Sequence, residues 1–415
     1  MRREIADNGT RYCARRSAVI TNNVSDWHIR EGMRVIYKAL GASGLKVSEV
    51  GLGCEHLQDK PLSQIQSVLD EAFEQGINII DLFMSQPQVR MDIGQALRGR
   101  RERMLIQGHI GAGWVDGQYC RVRKPEQYAR FFEDLLSYLD TDYMDIGMLH
   151  FVDTQADMDQ VLGSGMLDYA VRLKEKGIIR AVGMSSHDPL TSLKMIETGA
   201  IDVLMFSINP AYDAMPPETD VDGLMSTASY EGMTAFETRP ERTKLYHACE
   251  ARGVGITVMK ALGAGALLDA RRSPFRSALT SAQCIHYALT RPAVASVLVG
   301  CKTPEEVRAA VGYEHTTEQE RDYAKALRAL SFSAAGQCMY CNHCLPCPSE
   351  IDIAQVNKYL DLYELGDSPA SVREHYLALN HRAGECIACG SCEANCPFDV
   401  PVIQKMEKAR QAFGV

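Results

Sequence analysis

The sequence predicts a (β/α)8 barrel with a parallel sheet, followed by a small helical domain built round cysteines. Three observations carry this. From Val35 to about His315, short apolar runs of strand length alternate with amphipathic helical stretches eight times over, the count of a closed α/β barrel rather than an open sheet. Long connections, Ile110–Lys124 and Ala211–Arg239, follow the third and sixth runs, on the carboxyl side where such barrels shape a substrate pocket. Beyond residue 337, eight of the fourteen cysteines gather into two clusters.

Taken in order, Val35–Leu40 turns at Gly41-Ala42-Ser43-Gly44 and reads as a hairpin plugging the barrel's bottom. The expected barrel strands are Val47–Gly51, Ile77–Asp81, Met104–Gln107, Met144–Leu149, Ala181–Ser185, Val203–Ile208, Gly255–Met259 and Ser296–Val299. Between them the periodicity predicts helices at Ser63–Gln75, Val89–Leu97, Glu126–Leu139, Leu167–Lys176, Leu190–Thr198, Glu241–Arg252, Ser281–Leu289 and Pro304–Val311. A helix over Thr317–Leu330 leads to the cysteines, and Ile353–Leu365 and Pro369–Leu379 read as helices between the two clusters. Residues 1–32 are polar and unpatterned, an N-terminal extension.

Composition narrows the function. The net charge of −9 gives nucleic acid no electrostatic footing. No apolar run approaches the ~20 residues of a membrane span. Arg2-Arg3 is followed by no apolar stretch of an export signal, so a cytoplasmic protein acting on a small molecule is expected.

The first cluster reads CMYCNHCLPCP, with Cys338, Cys341, Cys344 and Cys347 each separated by two residues. The second reads CIACGSCEANCP, with Cys386, Cys389, Cys392 and Cys396, the last directly before Pro397. Three thiolates at three-residue steps wrap one side of an iron–sulfur cube, and the fourth, ahead of a proline, commonly crosses to the other cube of a two-cluster ferredoxin. Structural zinc usually pairs two short C-x2-C knuckles instead. Two [4Fe-4S] clusters are therefore expected. The first motif departs from the usual spacing, with two residues rather than three before Cys347.

The chain resembles an aldo/keto reductase carrying a C-terminal ferredoxin-type domain. The resemblance runs through ALGASGLKVSEVGLG (39–53), GINIIDLF (76–83), DYMDIGMLHF (142–151), KGIIRAVGMSSHD (176–188), GVGITVMKALGAG (253–265) and VLVGCKTPEEVRAA (297–310). It implies a TIM barrel over 33–315 and a cluster domain over 316–415. It also implies four catalytic residues at the mouth: an aspartate ending the second strand, a tyrosine five positions on, a lysine ending the third strand and a histidine ending the fourth, with NADPH delivering hydride. Asp81 and His150 match the first and last, whereas Gln86 stands at the tyrosine position and His109 at the lysine position. A glutamine amide donates a hydrogen bond but transfers no proton at useful pH. At the nicotinamide end the usual glutamine and tyrosine become Met205 and Ile208, and only Asn209 is kept. Ser185 and Ser186 remain to hold an amide, Gly300, Lys302, Thr303 and Arg308 border a helix start suited to a phosphate, and Lys260, ending the seventh strand, is expected to bind an anionic substrate or cofactor phosphate.

The redox reading is a two-electron reduction or oxidation of a small organic substrate, with electrons relayed through the clusters. It implies a ferredoxin or flavoprotein partner, and NADP(H) or flavin to convert electron pairs. The alternatives are a lyase or isomerase using His109 and His150 as acid and base beside structural clusters, an NADP(H)-dependent carbonyl reductase with an altered proton donor, and a non-catalytic electron carrier. Cys54 is expected near ligand at the mouth, and Cys13, Cys120, Cys249, Cys284 and Cys301 as ordinary residues.

Overall fold

The computed structural model describes residues 35–230, 238–324, 327, 336, 338, 340–364 and 370–415; the expected extension over 1–32 and Cys13 lie outside them. The chain opens with a hairpin of β1 (Tyr37–Ala39) and β2 (Lys46–Ser48). Gly41 has a φ of 54°, and a Cβ there would fall 2.2 Å from the Gly253 carbonyl oxygen, so only glycine lets the turn seat this deeply. Leu40, Leu45 and Val47 then pack with Ile79, Leu105, Ile146, Val203 and Leu298 inside the barrel, closing its amino-terminal end.

Eight parallel strands form the barrel: β3 (Val50–Gly53), β4 (Ile79–Leu82), β5 (Leu105–Ile110), β8 (Met144–Leu149), β9 (Ile179–Ser186), β10 (Val203–Ser207), β11 (Gly255–Met259) and β12 (Val294–Gly300). They close in the order β10-β11-β12-β3-β4-β5-β8-β9, which puts β11 diametrically across from β5. Between β5 and β8 the chain makes a second hairpin, β6 (Ala112–Val115) and β7 (Gln118–Arg121). The outer helices fall close to their expected limits.

Three expectations are corrected. The expected first strand, Val47–Gly51, straddles two elements: Val47 pairs with Lys38 in the plug, and the barrel strand starts at Val50. The change of partner falls at the polar pair Ser48-Glu49, between the two elements. Of the helix expected over Thr317–Leu330, residues 325, 326 and 328–330 lie outside the described residues, and the rest breaks between Arg321 and Ala324. There the Asp322 carbonyl accepts from Gln283 Nε2 at 2.6 Å and the Asp322 carboxylate from the Ala324 N–H, so local capping overrides the pattern. Ile110–Lys124 is mostly hairpin rather than loop. Asp116 and Gly117 take positive φ of 51° and 78°, the two-residue turn that suits strand twist.

In the cysteine-rich region, Ile353–Glu364 packs against Val402–Phe413, and Tyr376 stacks on Phe413 at 4.0 Å. This unit lies on the helices Pro240–Arg252 and Ser281–Leu289 that flank β11. Lys358 bridges Glu250 at 2.8 Å, and the Arg291 guanidinium lies 5.6 Å from the Tyr340 ring centre. A cavity of about 400 Å³ separates it from Gly41, Gly253 and Ala293 at the barrel's amino-terminal end. No described helix is long and apolar enough to cross a membrane.

Candidate functional site

Asp81, His109 and His150 stand at the carboxyl ends of β4, β5 and β8, each 4 % exposed or less. The two imidazoles, expected to face each other across the mouth, are in direct contact: His109 Nδ1 lies 2.8 Å from His150 Nδ1. His109 Nε2 is 2.9 Å from Asp81 Oδ1, which also accepts from Gln107 Nε2 at 3.0 Å. The other face of His150 meets a residue outside the expected set: the Tyr119 hydroxyl, 2.6 Å from His150 Nε2. Phe83 stacks parallel to His150 at 6.1 Å and seals the chain from one side.

The chain of contacts fixes the tautomers. An ionised Asp81 only accepts, so His109 donates through Nε2 and keeps Nδ1 as acceptor. His150 then donates through Nδ1, which leaves its Nε2 to accept the Tyr119 O–H. Burial, then His109, Arg123, Arg121 and Arg90, drives the His150 pKa well below the ordinary value, consistent with a neutral ring. Burial raises the Tyr119 phenol above its usual range, against the pull of Arg121 and Arg123. The relay thus runs Tyr119–His150–His109–Asp81 with every hydrogen aimed at the carboxylate, cations at its outer end and the anion at its inner end.

Tyr119 reaches His150 because the β6–β7 hairpin folds over the mouth. Its Gly113–Cys120 face packs toward Phe131, and Ser85 Oγ holds the Gly113 carbonyl at 2.5 Å. Trp114 and Tyr119, directly paired, share the opposite face. The sequence offered a signal, Asp-Gly between β-forming residues, but spacing along the chain does not say that the turn brings Tyr119 onto a histidine 31 positions away.

Gln86 stands apart: its amide donates to Asp59 Oδ1 at 2.8 Å. Cys54 is buried, its thiol pushed up by burial and by Asp81. Cys249, Cys284 and Cys301 are buried thiols raised the same way. Several of the expected cofactor-binding residues are engaged with the protein itself, whereas the Lys302 side chain is exposed and the Lys260 ammonium lies 3.9 Å from Glu55. Asn209 caps the turn at Pro210–Asp213 and donates to the Lys260 carbonyl at 2.8 Å. Ser185 Oγ accepts the Phe151 N–H, and Ser186 Oγ accepts that of Asp188. Thr303 caps its helix, the Lys302 N–H donates to Glu306, and Arg308 is held by Glu71 and Glu305. The His56 ring lies 2.5 Å from where a Gly300 Cβ would sit.

The cysteine motifs converge four and four. Cys338, Cys341, Cys344 and Cys396 line one cavity, while Cys347, Cys386, Cys389 and Cys392 line the other, so the last cysteine of each run crosses to its neighbour's site. Tyr340, Asn342 and Ala388, inside the C-x2-C loops, take positive φ of 54°, 62° and 53°; the Ala388 N–H points at Cys386 Sγ, 3.4 Å away. Hydrogen bonds from Ser391 lower the Cys389 thiol, whereas burial raises Cys338 to about 12, a cost that bound metal offsets. Among the described residues no group of three or more His, Cys, Asp or Glu stands close enough for a single metal ion. Four cysteines per cavity, three of them at three-residue steps, fit an iron–sulfur cube.

A buried network fills the wall between this flank and the mouth. The Tyr323 and Tyr287 rings meet edge to face at 5.2 Å; Tyr287 and Tyr246 donate to Asp213 at 2.7 and 2.5 Å. Arg242, 3.4 Å from Asp213, donates to the carbonyls of Ser207 at 2.9 Å and His187 at 3.4 Å, at the ends of β10 and β9. His187 in turn pairs with Asp153 at 2.9 Å.

A family model described as "Aldo/keto reductase family" matches residues 49–283, and one described as "4Fe-4S dicluster domain" matches residues 337–401. An uncharacterized oxidoreductase of Bacillus subtilis, YqkF, is 27 % identical over 315 residues, covering 70 % of this chain and 95 % of its own. L-galactose dehydrogenase of Arabidopsis thaliana is 24 % identical over 306 residues, 66 % of this chain and 86 % of its own. Among solved structures, the aldo-keto reductase AKR11C1 from Bacillus halodurans superposes with a TM-score of 0.53 at 22 % identity, over 72 % of this chain and 96 % of its own. This last likeness speaks for the fold.

Proposed function

The chain belongs to the aldo/keto reductase family of oxidoreductases, and within it we propose a two-electron reduction or oxidation of a small organic substrate at the barrel mouth, with Tyr119 as the proton-transferring group. The observation that carries this is the unbroken contact series Tyr119–His150–His109–Asp81. A tyrosine hydroxyl supplies what the Gln86 amide lacks, a proton that can leave. In oxidation, the substrate hydroxyl gives its proton to Tyr119 as the phenol's own proton passes to His150 Nε2. His150 hands its Nδ1 proton to His109, and His109 its Nε2 proton to Asp81. Reduction runs the same shifts outward and ends with Tyr119 protonating the carbonyl oxygen. For the carbon-bound hydrogen and its electron pair, this reading requires a nicotinamide or flavin at the mouth, which would supply hydride in reduction and accept it in oxidation, exchanging electrons with the clusters singly. Cations at the outer end and the carboxylate at the inner end favour moving the proton inward.

Electrons are assigned to the cluster domain, whose two four-cysteine cavities suit two [4Fe-4S] cubes. When bound, such clusters carry one electron each at potentials reaching about −400 mV. The domain sits outside β11, opposite β5, so the mouth lies beyond a helix layer about 10 Å thick and the barrel interior as well. The packed network Tyr323–Tyr287–Asp213–Arg242 spans that wall. The Cys386–Cys389 loop, with Ile387 66 % exposed, is the face for a ferredoxin or flavoprotein partner.

Tyr119→Phe tests the reading: turnover is expected to fall about 10²–10⁴-fold, and an undiminished rate would refute it. A lyase or isomerase using the same relay is the second reading, favoured by Gln86 and Met205 standing where the family's tyrosine and carboxamide-binding glutamine would be. A product at the substrate's own oxidation level, formed with redox-silent clusters, would establish it instead.

A further inference from the structure

The mouth also carries a cation whose charge the protein leaves uncompensated. Three guanidinium groups stand near His150. Arg90 is buried, its Nε donating to the Met84 carbonyl at 2.8 Å. Arg123 is held by the carbonyls of His150 and Phe151, both at 2.9 Å, with Asp157 at 4.0 Å. Arg121 differs. It is exposed, and among the described residues no carboxylate pairs with it. Its contact is with the Phe151 ring, whose centre lies 4.1 Å from the guanidinium carbon. A stacked guanidinium spends its face on the ring and keeps its in-plane N–H donors free for a two-oxygen acceptor.

The platform beneath it is fixed. Phe151 holds a φ of 55°, a left-handed conformation uncommon for a residue other than glycine. Its N–H is bound by Ser185 Oγ at 2.9 Å and its carbonyl by Arg123. Arg121 follows Tyr119 by two residues on β7, so both side chains leave the same face, about 7 Å apart along the strand.

We propose that Arg121 anchors a carboxylate or phosphate group of the substrate, so that the mouth takes short-chain anionic compounds whose reacting oxygen meets Tyr119. This rests on the assignment of Tyr119 as the proton-transferring residue. The matched span is a few bonds between the anionic group and the reacting carbon.

Calorimetry on the cluster-loaded full chain tests it with two matched pairs: acetoacetate against methyl acetoacetate, and dihydroxyacetone phosphate against dihydroxyacetone. The charged member of at least one pair is expected to bind at least about tenfold more tightly, and the pair concerned tells carboxylate from phosphate. Arg121→Gln is expected to bring that ratio within about twofold and Arg121→Lys to restore part of it. Equal affinities within both pairs, binding by neither member of either, or a ratio unchanged in Arg121→Gln overturns the inference. Tyr119→Phe separates the two claims: it should leave the charged-to-neutral affinity ratio unchanged. If Tyr119→Phe retains turnover while Arg121→Gln loses the ratio, the proton assignment falls and the anion site stands.

Discussion

Tyr119 and His150 decide the chemistry at the scale of single residues, and two substitutions separate them from Gln86. Gln86→Ala should leave turnover within about twofold, because its amide bonds only Asp59 on the rim. His150→Gln should fall with Tyr119→Phe, and the double variant should cost no more than either alone, as residues acting in one unit do. Steady-state rates of the three variants check this. A second expectation concerns acid stability. His247 is 1 % exposed with neither ring nitrogen bonded among the described residues, and its pKa is pushed down to about 3 by burial, then Lys358 and Arg291. Below the unfolded value near 6.5 the unfolded chain binds a proton that the folded chain refuses, so stability falls as pH drops through 6.5 toward 3. His286, lowered to about 4, acts with the same sign. Urea denaturation should show His247→Leu losing about 2 kcal/mol less than the parent chain between pH 6.5 and 5. Asp81 and His150 were legible because they end strands in recognisable motifs. Tyr119 was not, since its role comes from a contact made by a hairpin.

That hairpin is the element to perturb. Gly117 at 78° is the turn residue a side chain strains most, and Gly117→Val should cost about 1–2 kcal/mol locally. The barrel's circular dichroism should be unchanged while activity drops, because the hairpin contributes none of the eight closing strands. A variant as active as its parent would detach Tyr119 placement from the turn. The cysteine loops offer a second test. Cys396 lines the cavity of Cys338, Cys341 and Cys344, so Cys396→Ser should alter that site's cluster and spare the other, as iron content and electron paramagnetic resonance would register. Loss centred on the Cys386–Cys392 site would mean no crossing. Most barrel strands and the helices outside them were legible from periodicity alone. The break of the Thr317 helix was not, because Gln283 and Asp322 meet from distant parts of the chain.

At the scale of the molecule, a reductase-like barrel and a cluster unit share one wall, and that wall is held by charge. Asp213→Asn leaves buried Arg242 without its counter-charge and should cost about 3–5 kcal/mol, whereas Asp213→Leu with Arg242→Met should recover most of it. Denaturation midpoints distinguish these outcomes. The alternation and the two cysteine runs made both units legible in the sequence. Their docking was not, because it rests on pairs such as Lys358–Glu250, more than a hundred residues apart, that carry no local pattern. The chemistry at the mouth rests on the hydrogen positions of His150 and His109. The most direct measurement is therefore the tautomer of each relay histidine in protein labelled with ¹⁵N-histidine at pH 7. A neutral His150 protonated at Nδ1, and a His109 protonated at Nε2, are expected, both kept in Tyr119→Phe because the contact with Asp81 sets them. A His150 found as imidazolium, or carrying its proton on Nε2, contradicts the relay.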